Sequence, residues 1–297
     1  MSVTPASRDA SIAALDALGR TRERVDGTIA TFLADRRAEL AALDPRSVVL
    51  IDELVRLLGA GGKRFRPLLC VVAHRAAGGA AGRDVLRAAA SLELLHTFAL
   101  IHDDVMDGTA ERRGAEASHV RFARGAPPGV DPVTYGTSLA ILVGDLAAVL
   151  AERLLRTCGA PAERLDLALE RFDRMRVEMA AGQYLDVDPP TGAPPADVRR
   201  VAALKTSSYT AEGPVLIGAA LAAAPAAAER PLVTYARHVG EAFQLRDDVL
   251  DGDAEPAERA RVGDLVNRAI DALVGAPLEP SAVEELVAIA GTLREDG

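Results

Sequence analysis

The chain has 297 residues, of which 49% are apolar and 3% aromatic, with no tryptophan and a formal net charge of −9. Such a chain can bury one large core over residues 1–297, and its wealth of alanine and leucine with few strand-forming aromatics points to an all-α domain. The negative charge excludes a nucleic-acid partner, which would need a basic surface, so any phosphate site has to be local.

Residues Met1 to Asp9 lack the apolar core of a signal segment, and no uninterrupted apolar run reaches the roughly 18 residues of a membrane span. Cys70 and Cys158 stand apart in apolar surroundings and read as buried free thiols, which suits a cytoplasmic location. Arginine has displaced lysine nearly everywhere, and the two lysines that remain, Lys63 and Lys205, both sit in motif-like settings. Those positions call for a compact ammonium and not a guanidinium fork.

In chain order, apolar residues from Ala10 to Leu43 recur at helical spacing, giving two helices or one bent helix. Val48 to Leu58 continues as helix until Gly59-Ala60-Gly61-Gly62 breaks it, and Pro67 can open the next helix, where its missing N–H matters little. Further helices are expected over Leu86 to Asp107, Ser138 to Leu155, Ala162 to Asp186, Val198 to Thr210, Gly213 to Ala223 and Pro231 to Asp251. The stretches Gly125 to Pro132 and Pro189 to Pro195 read as loops. Beyond Asp251 come an amphipathic stripe from Val262 to Val274 and a segment opening on a capping-box pattern, Ser281-Ala282-Val283-Glu284.

The chemistry concentrates in two identical Asp-Asp-x-x-Asp strings. Asp103 and Asp107 lie four residues apart and project from one helical face, where two carboxylates repel unless a cation sits between them. Magnesium suits such a pair, because it takes carboxylate oxygens together with water and substrate phosphate. A single cluster of this kind is more often a solvated acidic face. Here Asp247, Asp248 and Asp251 repeat the pattern of Asp103, Asp104 and Asp107, and each string follows an apolar helical run, which weakens the bland reading.

A diphosphate held by such clusters needs further positive groups. Gly61-Gly62-Lys63-Arg64-Phe65-Arg66-Pro67 offers three cations on a glycine-broken loop, with an exposed turn an acceptable alternative for Arg64 alone. Arg112-Arg113-Gly114 follows the first string, and Lys205-Thr206, with Tyr209 and Thr210 beyond, adds a cation and hydroxyls. Gln183 and Gln244 are amides in apolar helical segments, and structural satisfaction is an even alternative for each. His96 lies two turns before Asp103, where a lone histidine is more often structural. The histidines lack the spacing of zinc ligands.

Together these motifs resemble the trans-type isoprenyl diphosphate synthases, or polyprenyl synthetases, from about Val48 to Asp251. The resemblance implies an isoprenoid-synthase bundle of antiparallel helices around a central cavity, assembled as a homodimer. It implies Mg2+ held by Asp103, Asp107, Asp247, Asp248 and Asp251, and a catalytic set of Asp103, Asp104, Asp107, Lys205, Asp247 and Asp248. Lys63, Arg66, His96 and Arg113 would bind isopentenyl diphosphate, while Arg112, Lys205, Thr206 and Gln244 would face the allylic diphosphate. Phe98 and Ala99, five and four positions before Asp103, are similar to the family pattern for a C20 product, with C15 as the near alternative. Release of so apolar a product implies transient membrane contact.

After Asp251 the resemblance implies a loop bearing glycine and lysine and further helices, and by comparison with that pattern the domain is expected to be shortened there. Two other activities fit parts of the motif set. A terpene cyclase on the same fold would use the first aspartate string but has no need of Lys63, Arg66 and Arg113. A low-activity regulatory subunit of a hetero-oligomeric prenyl synthase would tolerate loss of one string, and this chain has both.

Overall fold

The computed structural model describes residues 5–80, 82–112, 114–188, 203–250 and 256–294. Among them the fold is all-α, as the composition requires, apart from one hairpin of two-residue strands. Helix α1 (Pro5–Leu43) is continuous, since no proline interrupts it before Pro45. After a 3-10 turn (Pro45–Ser47) come α2 (Val48–Gly59), α3 (Phe65–Ala76) and α4 (Arg83–Met106), then strands β1 (Glu111–Arg112) and β2 (Ala115–Glu116). Helices α5 (Ser118–Ala123), α6 (Pro132–Arg156) and α7 (Ala162–Val187) follow. A π-helical segment (Ala203–Glu212) leads into α8 (Gly213–Leu221), α9 (Ala226–Leu250), α10 (Pro256–Leu273) and α11 (Pro280–Gly291).

The chain divides into two compact units. The larger comprises Met1–Glu23, Phe65–Ala89 and Cys158–Gly297, and the smaller comprises Arg24–Arg64 and Ala90–Thr157, so α1 and α4 each give residues to both.

In the larger unit, eleven of the twelve residues of α3 are buried, as expected of a core helix that is apolar almost all round. Helix α8 lies directly on it. A side chain at Gly218 would come within 2.2 Å of the Cys70 carbonyl oxygen, so only glycine permits that approach. Both ring nitrogens of buried His74 face carbonyl oxygens, Gly218 at 3.2 Å and Ala80 at 3.1 Å. Cys70 and Cys158 are free and buried, as their surroundings indicated, and burial raises both thiol pKa values. The stripe beyond Asp251 does core work: Val262, Leu265, Val266, Ala269 and Leu273 of α10, with Leu286, Ile289 and Ala290 of α11, complete one cluster with α3 and α9. Tyr235 of α9 donates its hydroxyl to the Leu286 carbonyl at 2.7 Å.

Three local expectations change. The helix expected over Val198 to Thr210 is, in its described part, a π-helix running on to Glu212. Pro214 supplies a reason: in an α-helix its ring would strike the carbonyl of Thr210 and it has no N–H to give, and the wider turn upstream relieves both problems. Helix α9 begins five residues before Pro231, because the Pro225 carbonyl accepts from the N–H groups of Ala228 and Glu229. The cap of α11 is Glu279 and not Ser281. Its carboxylate accepts from the Ala282 N–H at 2.8 Å and from the Ser281 hydroxyl, and Pro280 takes the first helical position.

Glu285 of α11 is nearly fully buried and receives both oxygens' hydrogen bonds from one guanidinium nitrogen of Arg75, at 2.7 and 2.9 Å. Removing one member leaves a charge stranded, whereas replacing both by apolar residues removes the problem. Arg75→Ala should therefore lower stability by about 3–5 kcal/mol in urea unfolding, while the double variant Arg75→Leu/Glu285→Leu regains most of the loss. Equal stability of Arg75→Ala and the parent would show that this pair does not hold α11.

Candidate active site

The basic loop between α2 and α3 turns on Gly61 and Gly62, with φ of 89° and 158°, and on Arg64, with φ of 50°. The last is unusual for a residue with a side chain, and such strain costs about 1–3 kcal/mol unless its surroundings enforce it. They do. Arg64 is 6% exposed; it donates to Asp26 at 2.7 Å, to Glu93 of α4 at 2.9 Å and to the Leu58 carbonyl at 2.6 Å. Burial alone would lower its pKa, but Glu93 and Asp26 together raise it. The exposed-turn alternative for Arg64 is thus excluded, and the residue is a buried clamp. Lys63 beside it is exposed.

In the same unit α4 ends at the first aspartate string. Gly108 takes the left-handed conformation, with φ of 65°, and the Thr109 N–H returns to the Asp104 carbonyl at 3.0 Å, the closure of a Schellman turn. The string therefore occupies the helix C-terminus, where the partial negative charge of the free carbonyls adds to that of the carboxylates. Asp103 is half-buried, Asp107 is exposed, and Asp104 is buried. Arg112 of β1 donates to Asp104 at 2.6 Å and stands 3.8 Å from Asp103. Burial raises the pKa of Asp104 in spite of Arg112, which lowers it, and Asp103 adds to the rise. Burial thus penalises charge on Asp104, and positive charge beside it offsets part of that penalty.

The hairpin that carries Arg112 is held by a second buried acid. Glu53 of α2 accepts from Arg56 at 2.6 and 2.8 Å and from Ser118 at 2.7 Å and forms an ion pair with Arg121 at 3.1 Å, and Arg56 also donates to the Glu116 carbonyl of β2. Helix α5 in turn lies against α6, where a side chain on Gly136 would meet the His119 carbonyl at 2.1 Å. Farther back on α4, Phe98 meets the His102 ring edge-on at 4.7 Å, and His102 packs on Gly144 of α6 with its Nε2 3.3 Å from the Ile141 carbonyl. Phe98, Ala99 and His96 are half-buried.

In the larger unit Arg66 is 8% exposed, donates to the Thr210 hydroxyl at 2.8 Å and lies 4.2 Å over the Tyr209 ring. Its Nε has no partner among the described residues. A buried N–H left in this state costs about 1–3 kcal/mol, a cost that an anion would remove. Tyr209 and Thr210 belong to the π-helix, whose Ser208 hydroxyl also donates to Glu178 of α7. Gln183, Gln244 and Asp247 are half-buried. Lys205 and Thr206 lie on the π-helix and Asp248 on α9, but their side chains, like Arg113 and Asp251 altogether, fall outside the described residues.

The structure thus brings Arg112 onto Asp104 in one unit and Arg66 onto Thr210 in the other. Glu93 and Glu53 escaped sequence reasoning, although an acidic residue inside the apolar run before Asp103 was a signal for the first.

These features occur in a chain whose residues 48–291 match the family model described as polyprenyl synthetase. The chain belongs to the polyprenyl synthetase family. Among its relatives, a geranylgeranyl diphosphate synthase of Methanosarcina mazei is 34% identical over 71% of this chain and 61% of its own. A short chain isoprenyl diphosphate synthase of Methanothermobacter thermautotrophicus is 30% identical over 88% of this chain and 77% of its own. Of the solved structures, geranylgeranyl pyrophosphate synthase from Corynebacterium glutamicum, complexed with isoprenyl diphosphate and magnesium, superposes with a TM-score of 0.85 at 25% identity. That match covers 94% of this chain and 99% of the other. Several of the curated relatives are longer than the match, and the chain spans 61%, 61% and 55% of three of them.

Adjacent loop residues should separate cleanly by substitution. Arg64→Ala strands Glu93 and is expected to lower stability by about 3–5 kcal/mol, whereas Lys63→Ala, at an exposed position, should stay within about 0.5 kcal/mol of the parent. Chemical denaturation of the two variants side by side tests this, and a stable Arg64→Ala would refute the clamp.

Proposed function

We propose that this polyprenyl synthetase family member is a short-chain prenyltransferase that condenses isopentenyl diphosphate with an allylic diphosphate. The observation that carries the reading is the end of α4, where half-buried Asp103 and exposed Asp107 flank Asp104, which is buried and paired with Arg112. The relatives named for isoprenyl diphosphate synthesis support it.

The carboxylates suit magnesium. Among the described residues no group of three or more His, Cys, Asp or Glu side chains is placed to cage an ion by protein alone. Asp103 and Asp107 supply the one or two hard oxygens that magnesium takes from protein, and the helix C-terminus deepens the negative potential there. In this reading Asp247, Asp248 and Asp251 hold the ion at the second string. When bound, the ion supplies positive charge to the diphosphate oxygens.

The chain's own residues do the rest. Lys63, Arg66, His96 and Arg113 take the isopentenyl diphosphate, and the unpartnered Nε of Arg66 is a ready donor for it. Lys205, Thr206 and Gln244 take the allylic diphosphate, with Arg112 set to stabilise charge on it as the allylic C–O bond breaks and both electrons leave on oxygen. The double bond of isopentenyl diphosphate then attacks the allylic carbon. Loss of a proton to the departing diphosphate restores the alkene, and an apolar surround keeps water from the cation. Phe98, pinned by His102, sets the depth available to the growing chain and favours a C20 product over C15.

We also read the molecule as a cytoplasmic homodimer that touches membrane only to release product. Helix α6 leaves an apolar face open: Leu142 and Val149 are exposed, and half-buried Leu139 and Leu146 continue them at spacings of three and four. Such a seam is what a second copy covers.

The decisive assay supplies magnesium, isopentenyl diphosphate and, in turn, dimethylallyl, geranyl or farnesyl diphosphate, and sizes the products. A C20 product is expected from the parent and longer chains from Phe98→Ala. No elongation from any primer sinks the synthase reading in favour of a regulatory subunit, and cyclic hydrocarbons from one allylic substrate would identify a lyase. For the assembly, sedimentation should find a dimer that Leu142→Arg/Val149→Arg converts to monomer; a monomeric parent would end that reading.

A further inference from the structure

The larger unit carries a second basic site, unconnected with the residues assigned above. A cleft of about 490 Å³ opens among α7, the end of the π-helix, α8 and α9, and four arginines line it: Arg171 and Arg174 of α7, Arg230 and Arg237 of α9. Only two acids share the lining, Glu212 and Glu229, so it carries two more positive charges than negative ones. In a chain of net charge −9 this is a local reversal of sign.

The pairing inside the cleft is incomplete. Arg237 meets Glu212 at 3.0 Å, but Arg171 stands 3.8 Å from Glu229, beyond hydrogen-bond reach. Arg174 turns to Glu178, outside the lining, at 2.9 Å. The guanidinium of Arg230 is exposed and has no carboxylate partner among the described residues. Glu212 raises the pKa of Arg237 through its hydrogen bond and charge, and neighbouring Arg174 works against that rise, so the two guanidinium groups are close enough to repel. Like charges gathered on rigid helices are stabilised by an anion placed among them. Guanidinium forks match phosphate oxygens in particular.

Leu216 and Val233 give the cleft an apolar wall beside these cations. Its volume lies within the roughly 300–1,000 Å³ of small-molecule sites and exceeds what a bare ion needs. We propose that this cleft binds a phosphorylated small molecule carrying at least two negative charges. The phosphates engage Arg171, Arg174 and Arg230, and the organic part rests on Leu216 and Val233. Such an occupant also competes with Glu212 for Arg237. Glu212 is two residues beyond Thr210, so the site borders the segment that receives Arg66.

Inorganic tripolyphosphate is a suitable probe, titrated calorimetrically into the full chain at low salt with EDTA present, so that no divalent cation links it to the aspartate strings. Saturable binding is expected, with a component that depends on the cleft arginines. Arg174→Ala/Arg230→Ala should weaken it by at least about tenfold, since two charge-assisted contacts are lost. Both side chains are exposed, so the variant's thermal unfolding should match the parent's. Lys63→Ala, which bears on the separate isopentenyl diphosphate site, should leave the arginine-dependent binding at this cleft intact. No saturable binding to the parent, or an unchanged affinity in the double arginine variant, would overturn the proposal; a loss of the arginine-dependent component on Lys63→Ala would move the binding to the basic loop and overturn it equally.

Discussion

A buried guanidinium governs the smaller unit. Arg64 sits in a backbone conformation that disfavours a side chain, and it stays there because Asp26, Glu93 and the Leu58 carbonyl together bind its charge. The clamp fixes the glycine loop to the helix that ends in Asp103, Asp104 and Asp107, ten residues beyond Glu93. Glu53 does the same for the hairpin: with its charge answered by Arg56, Arg121 and Ser118, β1 is held where Arg112 reaches Asp104. A core of alanine and leucine packs in many registers with little difference in energy. Buried charges that must find one particular partner remove that freedom, and the alternatives they exclude cost several kcal/mol each.

The same logic explains why the site residues themselves are poorly satisfied. Burial works against the charge of Asp104, and the Nε of Arg66 is buried without an acceptor among the described residues. Neither arrangement helps the fold. The surrounding helices bear the cost because the groups are oriented before any ligand arrives, which is how polar sites trade stability for function.

Much of this was legible in the sequence, because helical periodicity reports burial directly. The stripe of α10 follows from spacing alone. Pairing across elements does not. That Arg112 meets Asp104 depends on the short β1–β2 hairpin, and that Arg64 is buried while Lys63 is exposed depends on acids 29 and 38 residues away from Arg64. The π-helix was invisible for another reason: a wider turn leaves no separate apolar rhythm in so short a segment, and Pro214, its physical cause, lies beyond its end. Capping failed on chemistry. Ser281 fits the usual pattern, but Glu279 with Pro280 behind it reaches the same orphan N–H from farther out.

The Arg75–Glu285 pair spans 210 residues of sequence, and its meaning extends to how the chain is made. Synthesis runs from the N-terminus. The smaller unit has all of its residues once Thr157 has left the ribosome, so its buried charges can be neutralised while translation continues. Helix α3 emerges early as well, largely apolar and with Arg75 unanswered, yet its covering helices α10 and α11 are made much later. During that interval the apolar surface of α3 is without the cover that α10 and α11 give it in the finished core.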